Sequence, residues 1–172
     1  HGKGDQRIGY IRRVTGGRTT SDFMRSICNE FSDAPAACSD LPKSKEVSLT
    51  VLTDGRCKEC DVSGLISSLK GLFPGLKITT LDYNSKEGNN LYASLNLKYL
   101  PSLLFDDSVK EGEGYSNIQG YLQQIGEYQT LKIGATFDPN AEICDNDIDD
   151  DNNNLIDCND PGCSSKGVCR QE

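Results

Sequence analysis

The motif Cys57-Lys58-Glu59-Cys60 lies between a strand pattern and a helix pattern, and this placement limits the possible folds more than any other feature. Residues 47–53 are mostly apolar, alternating in part with polar side chains, which is typical of a β-strand. Asp54-Gly55-Arg56 is typical of a turn. Apolar residues then recur at helical spacing. The sequence therefore predicts a strand, a turn and a helix over 61–73, with both cysteines where the helix begins.

This placement has chemical consequences for the two cysteines. Unpaired backbone N–H groups and the positive end of the helix dipole favour a thiolate at Cys57. Helix N-termini and Cys-x-x-Cys motifs lower the thiol pKa from about 8.5 to roughly 3.5–7.5. We expect Cys57 to be the exposed attacking thiol and Cys60 the more buried resolving thiol. A structural disulfide and half of a metal site are the alternatives.

A proline follows at a second informative place. Tyr99-Leu100-Pro101 precedes the apolar strand pattern of residues 102–105, and proline is tolerated at the start of a strand. With the cysteine motif and the order of elements around it, this pattern resembles the thioredoxin superfamily over residues 47–130. The resemblance implies a cis proline peptide bond that lies against the cysteine pair, with Leu100 and Pro101 binding the substrate chain.

The chain departs from that family pattern at two places. Gly55-Arg56 stands where the family usually has an aromatic residue before the first cysteine. The strand at 47–53 carries no carboxylate, although the family often has a buried acid there as a proton acceptor.

Alternating patterns over residues 47–130 predict an α/β fold of order β-α-β-α-β-β-α, the minimal thioredoxin-like fold. The first two crossovers are long enough for parallel pairing, and the later hairpin adds an antiparallel strand. After the first strand and helix, the predicted elements are strand 76–83, helix 86–97, strand 102–105, a weak strand over 108–115, and a helix from Asn117 to Tyr128.

An N-terminal extension, residues 1–46, precedes this domain. Residues 1–19 are a basic, glycine-dotted arm, which is either a solvated tail or a binding segment. A helix is predicted after the cap Thr20-Ser21-Asp22. Cys28 and Cys38 are predicted to form a disulfide between this helix and the following loop; a second redox pair is the alternative.

The C-terminal part changes composition abruptly. After a linker at 131–141, residues 142–172 are rich in aspartate, asparagine and cysteine. The spacing of oxygen donors resembles the calcium loops of EF-hand and thrombospondin type 3-like repeats in secreted bacterial proteins. Asn154 replaces the usual glycine at position 6, and asparagine tolerates the left-handed conformation. The candidate Ca²⁺ ligands are Asp149, Asp151, Asn153, the backbone carbonyl of Leu155, Asp157 and Asp160.

Four cysteines surround this loop and argue against a disordered acidic tail. We expect a Cys144–Cys158 disulfide that closes the loop and a Cys163–Cys169 disulfide beside it. The alternative is a zinc site with four cysteine ligands, whose usual Cys-x-x-Cys spacing this segment lacks.

Charge and composition exclude several function classes. The net charge of −8 over 172 residues provides no basic surface for nucleic acid. His1 is the only histidine, so histidine-based acid–base catalysis is implausible. Eight cysteines indicate an oxidising compartment, namely the periplasm, the cell surface or the extracellular space, with a soluble domain of a membrane-anchored protein as a further case.

These observations predict an extracytoplasmic thiol–disulfide oxidoreductase that acts on protein thiols and disulfides. The chain has no motif for an organic cofactor, so a second protein must recharge the cysteine pair. A membrane redox protein, either vitamin K epoxide reductase-like or quinone-linked, is expected in that role, and we expect the protein itself to be a monomer. The alternative is a redox-inactive binding or scaffold module with a calcium-stabilised tail.

Overall fold

A computed structural model describes residues 20–28, 31–33, 35–40 and 43–170. The basic arm predicted at 1–19 lies outside the described residues. The N-terminal extension contains two helices, α1 (Thr20–Cys28) and α2 (Ala36–Ser39). A disulfide joins Cys28 to Cys38, with 5.8 Å between their Cα atoms, so the predicted pair is bonded. It connects the two helices, because the segment predicted as a loop contains α2.

A five-stranded mixed sheet forms the centre of the molecule. Its strands lie in the order β2-β1-β3-β5-β4. Strand β1 pairs in parallel with β2 and antiparallel with β3, and the remaining pairings are antiparallel. The strands are β1 (Glu46–Thr53), β2 (Gly75–Asp82), β3 (Ser102–Phe105), β4 (Leu122–Ile125) and β5 (Tyr128–Leu131).

The apolar core consists of two clusters, and strand β1 contributes residues to both. Each cluster also contains a residue from one of two helices. Helix α3 (Ser63–Leu72) contributes Leu69 to the larger cluster, which also contains Val47, Leu49 and Val51 of β1. Helix α4 (Lys86–Ser94) contributes Tyr92 to a smaller cluster with Leu52 and Leu100. Side chains of a strand alternate between the faces of its sheet, so the two clusters lie on opposite faces. Strand β1 is therefore an interior strand of the sheet that is buried on both faces.

The predicted strand at 108–115 is wrong. Residues Asp107–Glu111 form a 3₁₀ helix instead, which begins where the Asp106 carboxylate accepts a hydrogen bond from the backbone N–H of Ser108. A Cβ at Gly112 would lie 2.7 Å from the ring of Phe73 and from Val47. Glycine here therefore allows the backbone to approach the core closely, which the sequence pattern alone did not indicate.

The predicted helix over 117–128 is also wrong. Only α5 (Tyr115–Ile118) and a short 3₁₀ turn form before the chain enters the β4–β5 hairpin. Gly126 has a φ of +56° between the two strands, a conformation that favours glycine. Pairing with β5 satisfies the free edge of β3, and this distant partner overrides the local helical spacing. The observed order is β-α-β-α-β-α-β-β, a mixed α/β arrangement compatible with a thioredoxin-like fold.

The disulfides of the C-terminal segment differ from the predicted pairs. Cys144 pairs with Cys163, and Cys158 pairs with Cys169. Cys144 and Cys163 are both buried, whereas Cys158 lies exposed in a 3₁₀ turn. The Cys144–Cys163 disulfide therefore lies inside the folded segment, and the Cys158–Cys169 disulfide lies nearer its surface. All eight cysteines lie in the described part of the chain and are bonded in pairs.

Among the described residues, no helix combines the length and the apolar character that crossing a membrane requires.

Candidate functional site

Cys57 and Cys60 form a disulfide in the turn that follows β1, with 5.4 Å between their Cα atoms. The backbone N–H of Cys57 donates a hydrogen bond of 3.0 Å to the carbonyl of Asp54, and this bond closes the turn. Cys57 is half-buried and Cys60 is only 6% exposed. This is the order of exposure that the sequence predicted for an attacking and a resolving cysteine.

Helix α3 begins later than predicted. Its first residue is Ser63, three positions after Cys60, so the cysteines lie before the helix and not in its first turn. The Asp61 carboxylate accepts a hydrogen bond from the backbone N–H of Ser63, and this bond lowers the pKa of Asp61. One of the free N–H groups at the helix N-terminus is therefore bonded to an anionic side chain, and the negative charge of Asp61 opposes the positive end of the helix dipole.

The peptide bond between Leu100 and Pro101 is cis, as the family resemblance implied. Both residues are buried, and both line a cavity of about 710 Å³ together with Cys57 and Cys60. The structure thus brings the four predicted catalytic and substrate-binding residues to one cavity. The backbone N–H of Leu100 donates to the carbonyl of Phe137 at 2.8 Å, so the segment after β5 forms another wall.

Arg56 lies in the cysteine turn, residues 54–60, and its side chain binds one carboxylate of that turn and one from the C-terminal segment. Its guanidinium donates to Asp54 at 2.7 Å, to Asp150 at 2.9 Å and to the carbonyl of Pro139 at 2.9 Å. Hydrogen bonding to Asp54 is the main cause that raises the pKa of Arg56 above its ordinary value. The guanidinium therefore remains charged and occupies the position where the family usually has an aromatic residue.

Asp54 is a buried carboxylate that the sequence analysis missed. Its side chain is 0% exposed, and its residue is the first after β1. Burial raises the pKa of the Asp54 carboxyl, but hydrogen bonds from the side chain and backbone of Arg56, together with its charge, hold the pKa below the ordinary value. Asp54 lies one residue beyond the predicted strand at 47–53, and the turn pattern gave no signal that this carboxylate would be buried.

Lys58, between the two cysteines, pairs with Asp145 at 2.6 Å. Both groups are substantially exposed, so solvent screens this pair more than the Arg56 pairs. The charged residues that line the cavity are Arg56, Lys58, Glu59, Asp61, Asp145 and Lys166.

The candidate metal ligands are only partly brought together. Carboxylate oxygens of Glu142, Asp149 and Asp151 lie within 4.8 Å of one another. Glu142 was missed because it precedes the loop in sequence; it is buried and accepts hydrogen bonds from the backbone N–H groups of Asp150 and Asp157. Three carboxylates fit a hard cation such as Ca²⁺, which prefers oxygen ligands.

The other predicted ligands have different surroundings. The Asp157 carboxylate accepts hydrogen bonds from the backbone N–H groups of Asn146 and Asp147, and it is not part of the cluster of Glu142, Asp149 and Asp151. The side chain of Asn153 donates to Asp151 at 3.0 Å and also to Asp160. The N–H of Leu155 donates to Asn153 at 2.8 Å.

The backbone of the loop has the conformation that asparagine was expected to allow. The N–H groups of Asn153 and Asn154 donate to the Asp149 carboxylate at 3.0 and 2.8 Å. Asn154 has a φ of +69°, in the left-handed region. The residue that replaces glycine at position 6 therefore keeps the required conformation.

Comparisons with protein families and with curated proteins give no match to this chain. Among solved structures, the chain is similar to thioredoxin O2 from Arabidopsis thaliana in its oxidised state, with 24% identity and a TM-score of 0.31. The match covers 36% of this chain and 54% of that chain, about half the length of the plant protein. A similarity this slight establishes neither the fold nor the activity.

Proposed function

We propose that this protein belongs to the thioredoxin superfamily and is a thiol–disulfide oxidoreductase that uses Cys57 and Cys60. The observation that carries the proposal is the cavity beside the disulfide. A half-buried Cys57 and a buried Cys60 face a cavity that Leu100 and Pro101 also line. A purely structural disulfide does not require an adjacent cavity, whereas exchange with a partner chain requires access to the attacked sulfur.

In the oxidising direction, a thiolate of the partner attacks the Cys57 sulfur of the disulfide. The Cys57–Cys60 bond breaks, a mixed disulfide forms at Cys57, and Cys60 leaves as a thiolate. The second thiolate of the partner then attacks the partner sulfur that is bonded to Cys57. The mixed disulfide breaks, the partner disulfide forms, and Cys57 leaves as a thiolate. The partner loses two electrons and two protons, and this protein gains both as a dithiol. The same steps run in reverse when a reduced Cys57 attacks a partner disulfide.

Asp54 has a positioning role in this proposal. A carboxylate with a pKa below the ordinary value is a poor proton acceptor near neutral pH. Its contacts instead orient Arg56, which lies next to Cys57 in the chain. The guanidinium of Arg56, which lines the same cavity as Cys57, is therefore held in a fixed place.

Continuous turnover needs a second redox protein, since the pair accepts or delivers only two electrons. We assign this role to a membrane redox partner, vitamin K epoxide reductase-like or quinone-linked. An oxidising compartment agrees with four bonded cysteine pairs in the described chain, and we place the protein in the periplasm, at the cell surface or outside the cell.

Trapping of mixed disulfides tests the proposed activity. The Cys60→Ser variant should capture disulfide-containing partners: the Cys57 thiolate attacks the partner disulfide and displaces one of its sulfurs as a thiolate, and no resolving thiol remains to release the mixed disulfide. The Cys57→Ser variant is the matched control and should capture few, since Cys60 is buried. Equal capture by both variants, or none by either, would favour the scaffold module and remove the enzyme assignment.

We further propose that the acidic loop binds Ca²⁺ through Glu142, Asp149 and Asp151. Bound Ca²⁺ would neutralise their mutual repulsion and order the segment. Calorimetric titration of the oxidised whole protein should show about one site with a dissociation constant of roughly 10⁻⁴–10⁻³ M, the range of extracellular modules. Asp149→Asn should weaken it, whereas Asp107→Asn, outside the loop, should not. Absence of heat at several millimolar Ca²⁺ would refute this assignment.

A further inference from the structure

We infer that Asp145 and Asp150 of the acidic segment, residues 142–172, are positioning residues that raise the pKa of the Cys57 thiol. This inference rests on the proposed redox function of Cys57 and Cys60. Two ion pairs join the cysteine turn to this segment, over sequence separations of 94 and 87 residues. Asp150 pairs with Arg56 at 2.9 Å, and Asp145 pairs with Lys58 at 2.6 Å.

The two cations are the nearest positive charges to Cys57 along the chain, one on each side of it. A nearby cation stabilises a thiolate and lowers the thiol pKa. Each cation, however, pairs with a carboxylate of the acidic segment. Arg56 also pairs with Asp54 of its own turn, so this three-residue group carries a net negative charge. The Lys58–Asp145 pair is neutral. Glu59 of the turn, the adjacent Asp61 and Lys166 of the acidic segment also line the cavity, so Asp145 and Asp150 add negative charge to a turn that is not positive on its own.

The contacts around Asp150 are built into the segment. Its side chain is only 3% exposed, and its second carboxylate oxygen accepts a hydrogen bond from the side chain of Asn146 at 2.7 Å. Its backbone N–H donates to the buried Glu142 at 2.8 Å. Asp150 is thus held from three sides, and low exposure limits screening by solvent. Asp145 is 44% exposed, so its effect on Lys58 should be the smaller of the two.

Placement at the cavity makes the arrangement relevant to exchange. Asp145 and Ile143 line the same cavity as the cysteines, so the acidic segment forms part of the site. A thiol with a higher pKa gives less thiolate at neutral pH and a less stable reduced form. The acidic segment therefore makes the pair a milder oxidant than the cysteine turn would be alone.

The test uses the Cys60→Ser background, in which Cys57 is free while the other three disulfides remain bonded. Iodoacetamide labelling across pH reports the pKa of Cys57. Asp145→Asn and Asp150→Asn should each increase the thiolate fraction below the pKa, and the double change should increase it roughly three- to tenfold. In the protein with both cysteines, the same changes should shift the equilibrium with glutathione toward the dithiol.

Two controls separate the charge effect from an effect on folding. Asp107→Asn breaks the comparable Lys110–Asp107 pair, whose residues do not line the cavity, and should leave the pKa of Cys57 unchanged. Asp145→Glu keeps the charge and should retain the parent pKa. Asp145→Asn lies at an exposed pair, so it tests the inference even where Asp150→Asn impairs folding.

The outcomes distinguish this inference from the proposed function. If the parent traps partners through Cys57 but Asp145→Asn and Asp150→Asn titrate like Asp107→Asn, the charge role is wrong and the redox function stands. A parent that exchanges with neither glutathione nor a partner protein overturns both.

Discussion

Asp54 shows how one buried carboxylate organises the residues around the cysteines. Hydrogen bonds from Arg56 to both its oxygens hold the guanidinium, and the side chain of Asn84 approaches it at 3.4 Å. A buried carboxylate is tolerated only when it is well paired, because removing a charge from water is costly. The strong pairing agrees with a pKa below the ordinary value.

This pKa gives a pH dependence with a definite sign. The unfolded carboxyl has a pKa of about 3.9, and the folded one lies lower, so Asp54 stabilises the fold above pH 4. That contribution is lost as pH falls through the folded pKa. The Asp54→Asn variant should lack this part of the acid destabilisation and be about 1–3 kcal/mol less stable at pH 7.

Urea denaturation at pH 7, 4 and 3 measures this effect. Asp107→Asn serves as the control, because Asp107 is an exposed partner of Lys110. Identical acid profiles for the parent and Asp54→Asn would contradict the assigned role.

Residues of local motifs could be predicted from the sequence, while residues buried by distant segments could not. Cys57, Cys60 and Pro101 carry signals in their immediate neighbours, and the structure places all three at one cavity. Asp54 and Glu142 carry no such signal. Asp54 is explained by hydrogen bonds from Arg56, whose guanidinium also donates to the distant Asp150, and Glu142 by backbone groups eight and fifteen residues away.

At the scale of elements, the first half of the domain follows its local periodicity. Strand β1, helix α3, strand β2 and helix α4 were predicted within a few residues of their observed bounds. The β4–β5 hairpin was not, because the apolar spacing of residues 118–128 also fits a helix. The choice is made by the open edge of β3, which no local pattern reveals.

The 3₁₀ segment after β3 depends on a close approach to the core at Gly112. A methyl group there would overlap Phe73 and Val47, which are both fully buried. Gly112→Ala should therefore lower the free energy of unfolding by about 1–3 kcal/mol. Thermal or urea unfolding of the oxidised protein measures the change.

Gly71 offers the matched control for this prediction. It lies in helix α3, is exposed, and has no atom within 4 Å of an added Cβ. Gly71→Ala should increase stability by about 0.5–1 kcal/mol, because alanine is the better helix former. Equal effects from the two substitutions would show that residue type, and not the contact at Gly112, determines the result.

At the scale of the whole molecule, the acidic segment lines the same cavity as Cys57 and Cys60. Two ion pairs connect the acidic segment to the cysteine turn. The backbone N–H of Leu100 also donates a hydrogen bond to Phe137, which lies just before that segment in the chain. The sequence divided these parts into a domain, a linker and a separate tail. That division rested on composition, which describes each stretch and carries no information on contacts between them.

The disulfides of the segment allow this integration to be tested. Cys144–Cys163 is buried and closes 19 residues around Asp145 and Asp150, whereas Cys158–Cys169 lies further along the chain. Replacing Cys144 and Cys163 by serine should release the loop, with a loss of about 3 kcal/mol on the chain-entropy model. Replacing Cys158 and Cys169 leaves both ion-paired aspartates inside the remaining closed loop.

Hydrogen exchange of the backbone N–H groups of Asp150 and Asp157, which donate to Glu142, reports the state of the loop. Protection should fall strongly in the Cys144/Cys163 double variant and remain in the Cys158/Cys169 double variant. The same order should appear at the cysteine turn, where release of Asp150 removes one of the two carboxylates paired with Arg56 and raises the thiolate fraction of Cys57. Equal loss of protection in both variants, or a Cys57 thiol indifferent to both, would show that the acidic segment folds independently of the redox site.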